Sequence, residues 1–323
     1  MPEPAALGID IGGTKLVAAT VAADGTVCER LRRDTPAHDA EALIAVIEAV
    51  LHELGEGLPV GVGIAGLVTH DGVVRYGPNI GIRELDLGAR LSALAGRSVT
   101  VTNDASAAAL GEQRAGAARG HDDVALFTLG TGVGGGLVTG GRLVLGASGF
   151  AGELGHTVVD DGGRACPCGN RGCVEAYASG TSIGLTARER LVDLTISSSL
   201  RDEPELTGRE VTAAAVEGDA FARGILVEAG RWLGVAAASV VNALDPRIVL
   251  VGGGAAARTA PWMLPAAAEA MRERLVGSAW RAPPPIELAA LGDDAGMVGA
   301  ALLASDRAGA SAVGRPRARE AGA

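Results

Sequence analysis

Leu7-Gly8-Ile9-Asp10-Ile11-Gly12-Gly13-Thr14-Lys15-Leu16-Val17-Ala18-Ala19-Thr20-Val21 decides the architecture. Leu7, Ile9 and Ile11 alternate with smaller residues, the period-2 signature of a strand. Gly12, Gly13, Thr14 and Lys15 interrupt the apolar pattern, and Leu16 to Val21 resumes it as a second strand. Glycine at such a turn lets backbone amides face phosphate oxygens, while Thr14 and Lys15 add a hydroxyl and a positive charge. The P-loop and the dinucleotide fingerprint both open a helix. This loop opens a strand, so it is neither. Taken alone, it reads equally well as a plain glycine turn.

Outward from that hairpin, Asp24-Gly25 signals a turn into a strand near Val27, and Ala40 to Leu54 carries apolar residues at helical spacing. Val60 to Ile64 and Val99 to Thr102 read as short buried strands. The second ends at Asn103-Asp104, before a helix over Ala105 to Ala115. The opening pattern then recurs: a strand over Asp123 to Thr128, a glycine-rich loop over Leu129 to Gly136, and a returning strand over Leu137 to Val144 around Gly140-Gly141. Two strand–glycine–strand hairpins, one in each half, suggest two similar α/β halves that each offer a loop to one shared ligand. Phe150 to Val174 is a loop-rich insertion. Further on come a helix over Ala214 to Val241, a strand over Arg247 to Val251 running into Gly252-Gly253-Gly254, a helix over Pro261 to Arg274, a strand over Ile286 to Leu291 and a helix over Ala295 to Ala304. From Gly309 the Gly, Ala, Pro and Arg mixture reads as a disordered tail.

Composition narrows the function classes. The 48% of hydrophobic residues can fill a sizeable core, but with only 2% aromatics that core must be Ala, Val, Leu and Ile. The net charge of −10 argues against nucleic acid or an anionic membrane as partner, because both attract basic surfaces. The beginning MPEPAALGIDIGG has no basic segment followed by an apolar one, so it does not read as a signal peptide. No uninterrupted apolar run reaches about 18 residues, and no membrane span is expected. A cytoplasmic protein follows.

Three of the four cysteines crowd together as Cys166, Cys168 and Cys173, with His156 nearby. In a chain without secretory signals this spacing points to metal rather than disulfides. Three thiolates and an imidazole suit tetrahedral zinc, and four protein ligands leave no position open, so the site is expected to be structural. Glu153 and Glu175 bracket the loop, as solvated acids or as acceptors for sugar hydroxyls. Asn103-Asp104 reads as a helix N-cap or, with Asp104, as a base orienting an attacking hydroxyl. Three glycine clusters at strand ends (12–13, 130–136 and 252–254) together favour a nucleotide.

These residues resemble the ROK family of repressors, uncharacterised frames and kinases, and within it the actinobacterial-type ATP-dependent glucokinases. The likeness rests on IDIGGTK at 9–15, GPNI at 77–80, NDASAAALGE at 103–112, LGTGVGGG at 129–136, GELGH at 152–156, CPCGNRGCVE at 166–175 and VGGG at 251–254, and spans Gly8 to about Ala304. It implies an actin-like (ribonuclease H-like) α/β fold with an interdomain cleft. A small domain would comprise 1–104 plus 295–308 and a large one 105–294, with 309–323 as the tail. It implies ATP-dependent phosphorylation of glucose at the 6-hydroxyl, with Asp104 as catalytic base. Gly66, Asn79, Asn103, Asp104, Glu153, His156 and Glu175 would form the sugar site. Asp10, Gly12, Gly13, Thr14, Lys15, Thr131, Gly132 and Gly253 would hold ATP, with Asp10 near Mg2+. His156, Cys166, Cys168 and Cys173 would bind zinc, His156 serving zinc with one ring nitrogen and sugar with the other. A homodimer or homotetramer is expected. Two departures stand out: Ala65 where many members have Pro, and Ser106 where many have Asn, which is expected to loosen a bond at the helix start. Other hexoses or N-acetylmannosamine as acceptor, and polyphosphate as donor, remain alternatives. A sugar-sensing regulator is a third reading, disfavoured because the phosphate loop begins at residue 9 and leaves no room for a DNA-binding domain before it.

Overall fold

A computed structural model describes residues 2–313. The chain divides into two compact units, Met1–Ala115 with Gly146–Phe150 and the chain from Asp294 onward, and Gly116–Leu145 with Ala151–Asp293.

The first unit begins with β1 (Pro4–Ile11), β2 (Lys15–Ala22) and β3 (Val27–Asp34), an antiparallel meander. After α1 (Ala40–Leu54) comes β4 (Val60–Ile64), parallel to β1. A small antiparallel sheet follows, made of β5 (Leu67–Val68), β6 (Val73–Gly77) and β7 (Ile82–Asp86). Then α2 (Leu87–Ala95) leads to β8 (Val99–Asn103), parallel to β4, and to α3 (Asp104–Ala115). The main sheet has the order β3-β2-β1-β4-β8.

Its two faces are built differently. Leu7, Ile9, Ile11, Val60, Val62 and Ile64 are buried in one apolar core with Leu43, Ile47 and Val50 of α1 and Leu87 and Leu91 of α2. The alternate residues, Gly8, Gly61 and Gly63, face the other way. There the missing side chains matter, since a Cβ on Gly61 would lie 1.9 Å from the Ala300 carbonyl oxygen and one on Gly8 2.0 Å from that of Met297.

The second unit repeats the hairpin with β9 (Val124–Leu129), β10 (Val133–Thr139) and β11 (Arg142–Leu143). Helices α4 (Glu175–Ala178), α5 (Gly180–Arg190), α6 (Gly208–Glu217) and α7 (Ala220–Leu244) follow. Then come β12 (Ile248–Gly252), α8 (Ala256–Arg272) and β13 (Ile286–Leu288), giving the sheet order β11-β10-β9-β12-β13. Its core is mainly Ala, Val and Leu around Phe127, as the scarcity of aromatics requires. The chain finally returns to the first unit as α9 (Ala295–Val313). Helix α9 covers the glycine face of β1 and β4 and packs against α3, where a Cβ on Gly299 would lie 1.7 Å from the Ala107 carbonyl oxygen.

Several expectations need correction. Helix α3 falls in the first unit, not the second. The single helix expected over 214–241 is two, α6 and α7, broken where Gly218 adopts φ 107° and Asp219 caps the next helix. Residues 309–313, expected in the tail, continue α9, and 314–323 lie outside the described residues. Glycines 134–136 lie inside β10, so the second loop is confined to 130–132. Among the described residues α7 is long and apolar enough to cross a membrane by composition, but most of that span is buried in the core of the second unit.

Candidate active site

In the first unit, register gathers the candidate residues. Asp10 pairs with Gly63 and Gly63 with Thr102, one position before Asn103 on β8. The carboxyl ends of β1, β4 and β8 therefore share one edge, the place where open α/β sheets receive ligands. Gly63 lies between the two acids, since a Cβ there would be 3.6 Å from Asp10 Oδ1 and 3.4 Å from Asp104 Cα. Asp10 Oδ2 lies 2.8 Å from where a Cβ on Gly296 would be, in the first turn of α9.

Asn103 and Asp104 divide their work in a way the sequence left open. Asn103 Oδ1 accepts the Ser106 N–H at 2.9 Å, so Asn103 is the cap of α3. Its Nδ2 donates to the Gly66 carbonyl at 3.1 Å. Asp104 is thereby released from capping, and its Oδ1 accepts its neighbour's amide, Ala105 N–H at 2.9 Å. Burial pushes the Asp104 carboxyl above the ordinary aspartate range, with the Ala105 N–H opposing the shift. Ser106 does not loosen the helix start, because the bond to Asn103 uses its backbone N–H.

The tip of the first hairpin closes with Gly12 N–H donating to Lys15 O at 3.0 Å, and Thr14 O accepts the Thr35 N–H at 3.2 Å. Asn79 sits exposed in the turn between β6 and β7. Its carbonyl oxygen abuts Gly13, where a Cβ would come within 2.9 Å. Gly66 adopts φ 147°, and a Cβ there would meet the Tyr76 carbonyl oxygen at 2.4 Å, so this bend is restricted to glycine.

In the second unit the four metal-ligand candidates converge, with their donor atoms all within 4.8 Å of one another. Cys168 Sγ and Cys173 Sγ are 3.7 Å apart, and Cys166 Sγ is 3.7 Å from His156 Nδ1. An ion about 2.3 Å from each sulfur in a tetrahedron would hold the sulfurs about 3.8 Å apart, so the residues fit zinc. Burial pushes the Cys166 and Cys173 thiols up, so a cation must displace protons to bind. His156 Nε2 lies 3.8 Å from Glu153 Oε2, across the short 3-10 turn Leu154–His156.

The tip of the second hairpin closes with Gly130 N–H donating to Gly132 O at 3.0 Å. Glu175 Oε2 accepts the Val133 N–H at 2.9 Å. Gly253, at the end of β12, has φ 86° and packs so closely on Leu129 that a Cβ would lie 2.5 Å from its carbonyl oxygen. Thr131, Gly132 and Gly253 thus lie where β9 and β12, paired in parallel, both end. Sequence reasoning missed Gly180 and Thr181, whose N–H and hydroxyl bond to Gly130 O at 2.9 Å and Thr131 O at 2.8 Å. The only sequence signal was Ser179-Gly180-Thr181, which by itself reads as an ordinary helix cap.

Residues 6–307 match the ROK family. The chain belongs to the ROK family. Its relatives include a glucokinase of Streptomyces coelicolor, 35% identical over 93% of this chain and 97% of that one. An N-acetylmannosamine kinase of Escherichia coli is 34% identical over 76% of this chain and 82% of that protein. Among solved structures, a ROK glucokinase from Streptomyces griseus in complex with glucose and AMPPNP superposes with a TM-score of 0.79 at 36% identity, covering 93% of this chain and 99% of the other. The fold is the actin-like ATPase fold of ROK sugar kinases.

Proposed function

We propose that this protein transfers the γ-phosphoryl group of ATP to the 6-hydroxyl of glucose. The observation that carries the reading is the desolvated carboxyl of Asp104, relieved of capping by Asn103, on a residue that flanks Gly63 together with Asp10 at the strand ends. A carboxylate with raised proton affinity is a better acceptor for a hydroxyl proton than an ordinary aspartate. In phosphoryl transfer the transition state is loose, so its main contribution is to orient the attacking oxygen. The glucose and AMPPNP held by the S. griseus relative support sugar and ATP as the ligands.

In this reading Asn79, Asn103, Asp104 and the Gly66 bend in the first unit, and Glu153, His156 and Glu175 in the second, hold the sugar hydroxyls. Gly12 to Lys15, Thr131, Gly132 and Gly253 hold ATP, and Asp10 faces the Mg2+ that accompanies it. When bound, Mg2+ would supply positive charge to offset that of the phosphates. Zinc, held by His156 and the three cysteines, keeps the loop that presents Glu153 and Glu175 in one conformation. With one ring nitrogen turned to the cysteines and the other to Glu153, His156 can serve metal and sugar together. The use of ATP as donor supports the cytoplasm as the site of the reaction. A homodimer or homotetramer is the assembly we assign, and light scattering showing only monomer would overturn that.

The test is ADP release with glucose, mannose, fructose and N-acetylmannosamine at saturating ATP. Glucose is expected to give the highest kcat/KM. Turnover of N-acetylmannosamine without glucose would move the protein to the second reading, which its E. coli relative favours. Asp104→Ala is expected to lower kcat by about 100- to 10,000-fold. Undiminished glucose-dependent turnover in that variant would remove Asp104 as base.

A further inference from the structure

We propose that Glu175 is a positioning residue for the nucleotide, in addition to any contact it makes with sugar. Its carboxylate holds the second glycine hairpin in the shape that receives phosphate, and it does so from the metal-pinned loop. The inference rests on the reading of Thr131 and Gly132 as part of the ATP site.

Glu175 follows the metal-ligand candidate Cys173 by two residues and opens α4. Its two oxygens point to different places. Oε1 lies 3.7 Å from Cys166 Sγ, while Oε2 accepts the Val133 N–H at 2.9 Å. That amide belongs to the first residue of β10, directly after the hairpin tip. The carboxylate lies over Gly132, where a Cβ would come within 2.4 Å of Oε2. Glycine at 132 therefore has a reason apart from phosphate, because a side chain there would expel the carboxylate. The main chain of Glu175 is fixed as well, its carbonyl accepting the Ser182 hydroxyl at 2.7 Å. From the same segment Gly180 N–H and the Thr181 hydroxyl bind the carbonyls of Gly130 and Thr131. The tip is thus held by its carbonyls from one side and by the Val133 amide from Glu175. A phosphate loop works by presenting amides in a fixed fan. An unheld Val133 would let that fan rotate.

Glu175→Gln keeps an acceptor for the Val133 N–H but removes the charge. Glu175→Ala removes both. The pair separates holding the hairpin from binding sugar. The measurements use the purified, zinc-loaded full chain without sugar. One is calorimetric affinity for a non-hydrolysable ATP analogue, and the other is hydrogen exchange of the Val133 amide. The Gln variant is expected to bind the analogue as wild type does and to protect Val133, while its KM for sugar rises. The Ala variant is expected to bind the analogue roughly tenfold more weakly, as for loss of a bond to a charged group, and to exchange Val133 faster. Should Ala yield no folded protein, Glu175→Met keeps the length without an acceptor and takes its place. Wild-type nucleotide affinity and Val133 protection in the acceptor-less variant, with a defect confined to sugar KM, would overturn the proposal and leave the kinase reading intact. A wild-type chain that binds no ATP analogue at all would overturn the phosphate-site reading itself.

Discussion

Asp104 can be dissected by pH because its capping duty has passed to Asn103. A carboxyl whose affinity for protons is raised by folding makes the native state bind more protons than the unfolded one. Its contribution to stability is complete below the unfolded value of about 3.9 and is lost as pH rises through the raised folded value. Asp104→Asn should therefore be at least as stable as wild type near pH 7, with the difference shrinking towards pH 4. Thermal denaturation of both proteins across that range checks it, and an Asn variant markedly less stable at pH 7 would show that the carboxylate is structurally needed. The same shift should place the acid limb of kcat/KM above the ordinary aspartate range. Much of this site was legible from residue types, since Asp10, Asp104 and the Cys/His set stand out wherever they fall. What the sequence left ambiguous was which of Asn103 and Asp104 capped α3. Both residue types cap well, and only the position of the Ser106 N–H decides between them.

The loop that carries the metal-ligand candidates stands out among the elements because little apolar burial holds it. Between Leu154 and Val174 its regular structure amounts to a 3-10 turn and two isolated bridges, Val158 with Cys173 and Ala165 with Arg171. Such a segment is expected to draw its order from a bound metal. Purified protein should carry about one zinc per chain. Chelation or Cys168→Ser should speed proteolysis within 158–172, read by mass spectrometry of the fragments. Unchanged cleavage after verified metal loss would count against a structural role. Legibility among the elements followed length. Apart from β11 and β13, the strands of the two five-stranded sheets span five residues or more. The small sheet β5-β6-β7 escaped reading because its strands run from two to five residues and half the positions on β6 and β7 are exposed, with no regular alternation for period 2 to emerge. The α6–α7 break escaped because apolar spacing continues across it. Gly218-Asp219, a C-terminal glycine followed by an N-cap, was the signal to heed.

At the largest scale, the two ends of the chain are joined within the first unit by backbone contacts that only glycine permits. Gly8 and Gly61 on the sheet and Gly299 on α9 let main chains touch where any side chain would intrude. Gly299→Ala forces a Cβ to within 1.7 Å of the Ala107 carbonyl oxygen and should cost about 1–3 kcal/mol, as overpacking does. Gly224→Ala is the matched control, since its Cβ meets nothing within 4 Å in α7 and should stabilise by roughly 0.5–1 kcal/mol. Denaturant melts of the two variants should move in opposite directions. The covering of β1 and β4 by α9 also bears on how the protein is made. A ribosome releases β1 well before α9, and at common elongation rates the interval is on the order of tens of seconds. Through that time the earliest strands present a bare main-chain surface with no lid of their own. A nascent chain of this design invites holding by chaperones until α9 emerges, and a stop codon shortly before Ala295 would unmake the strands made long before it.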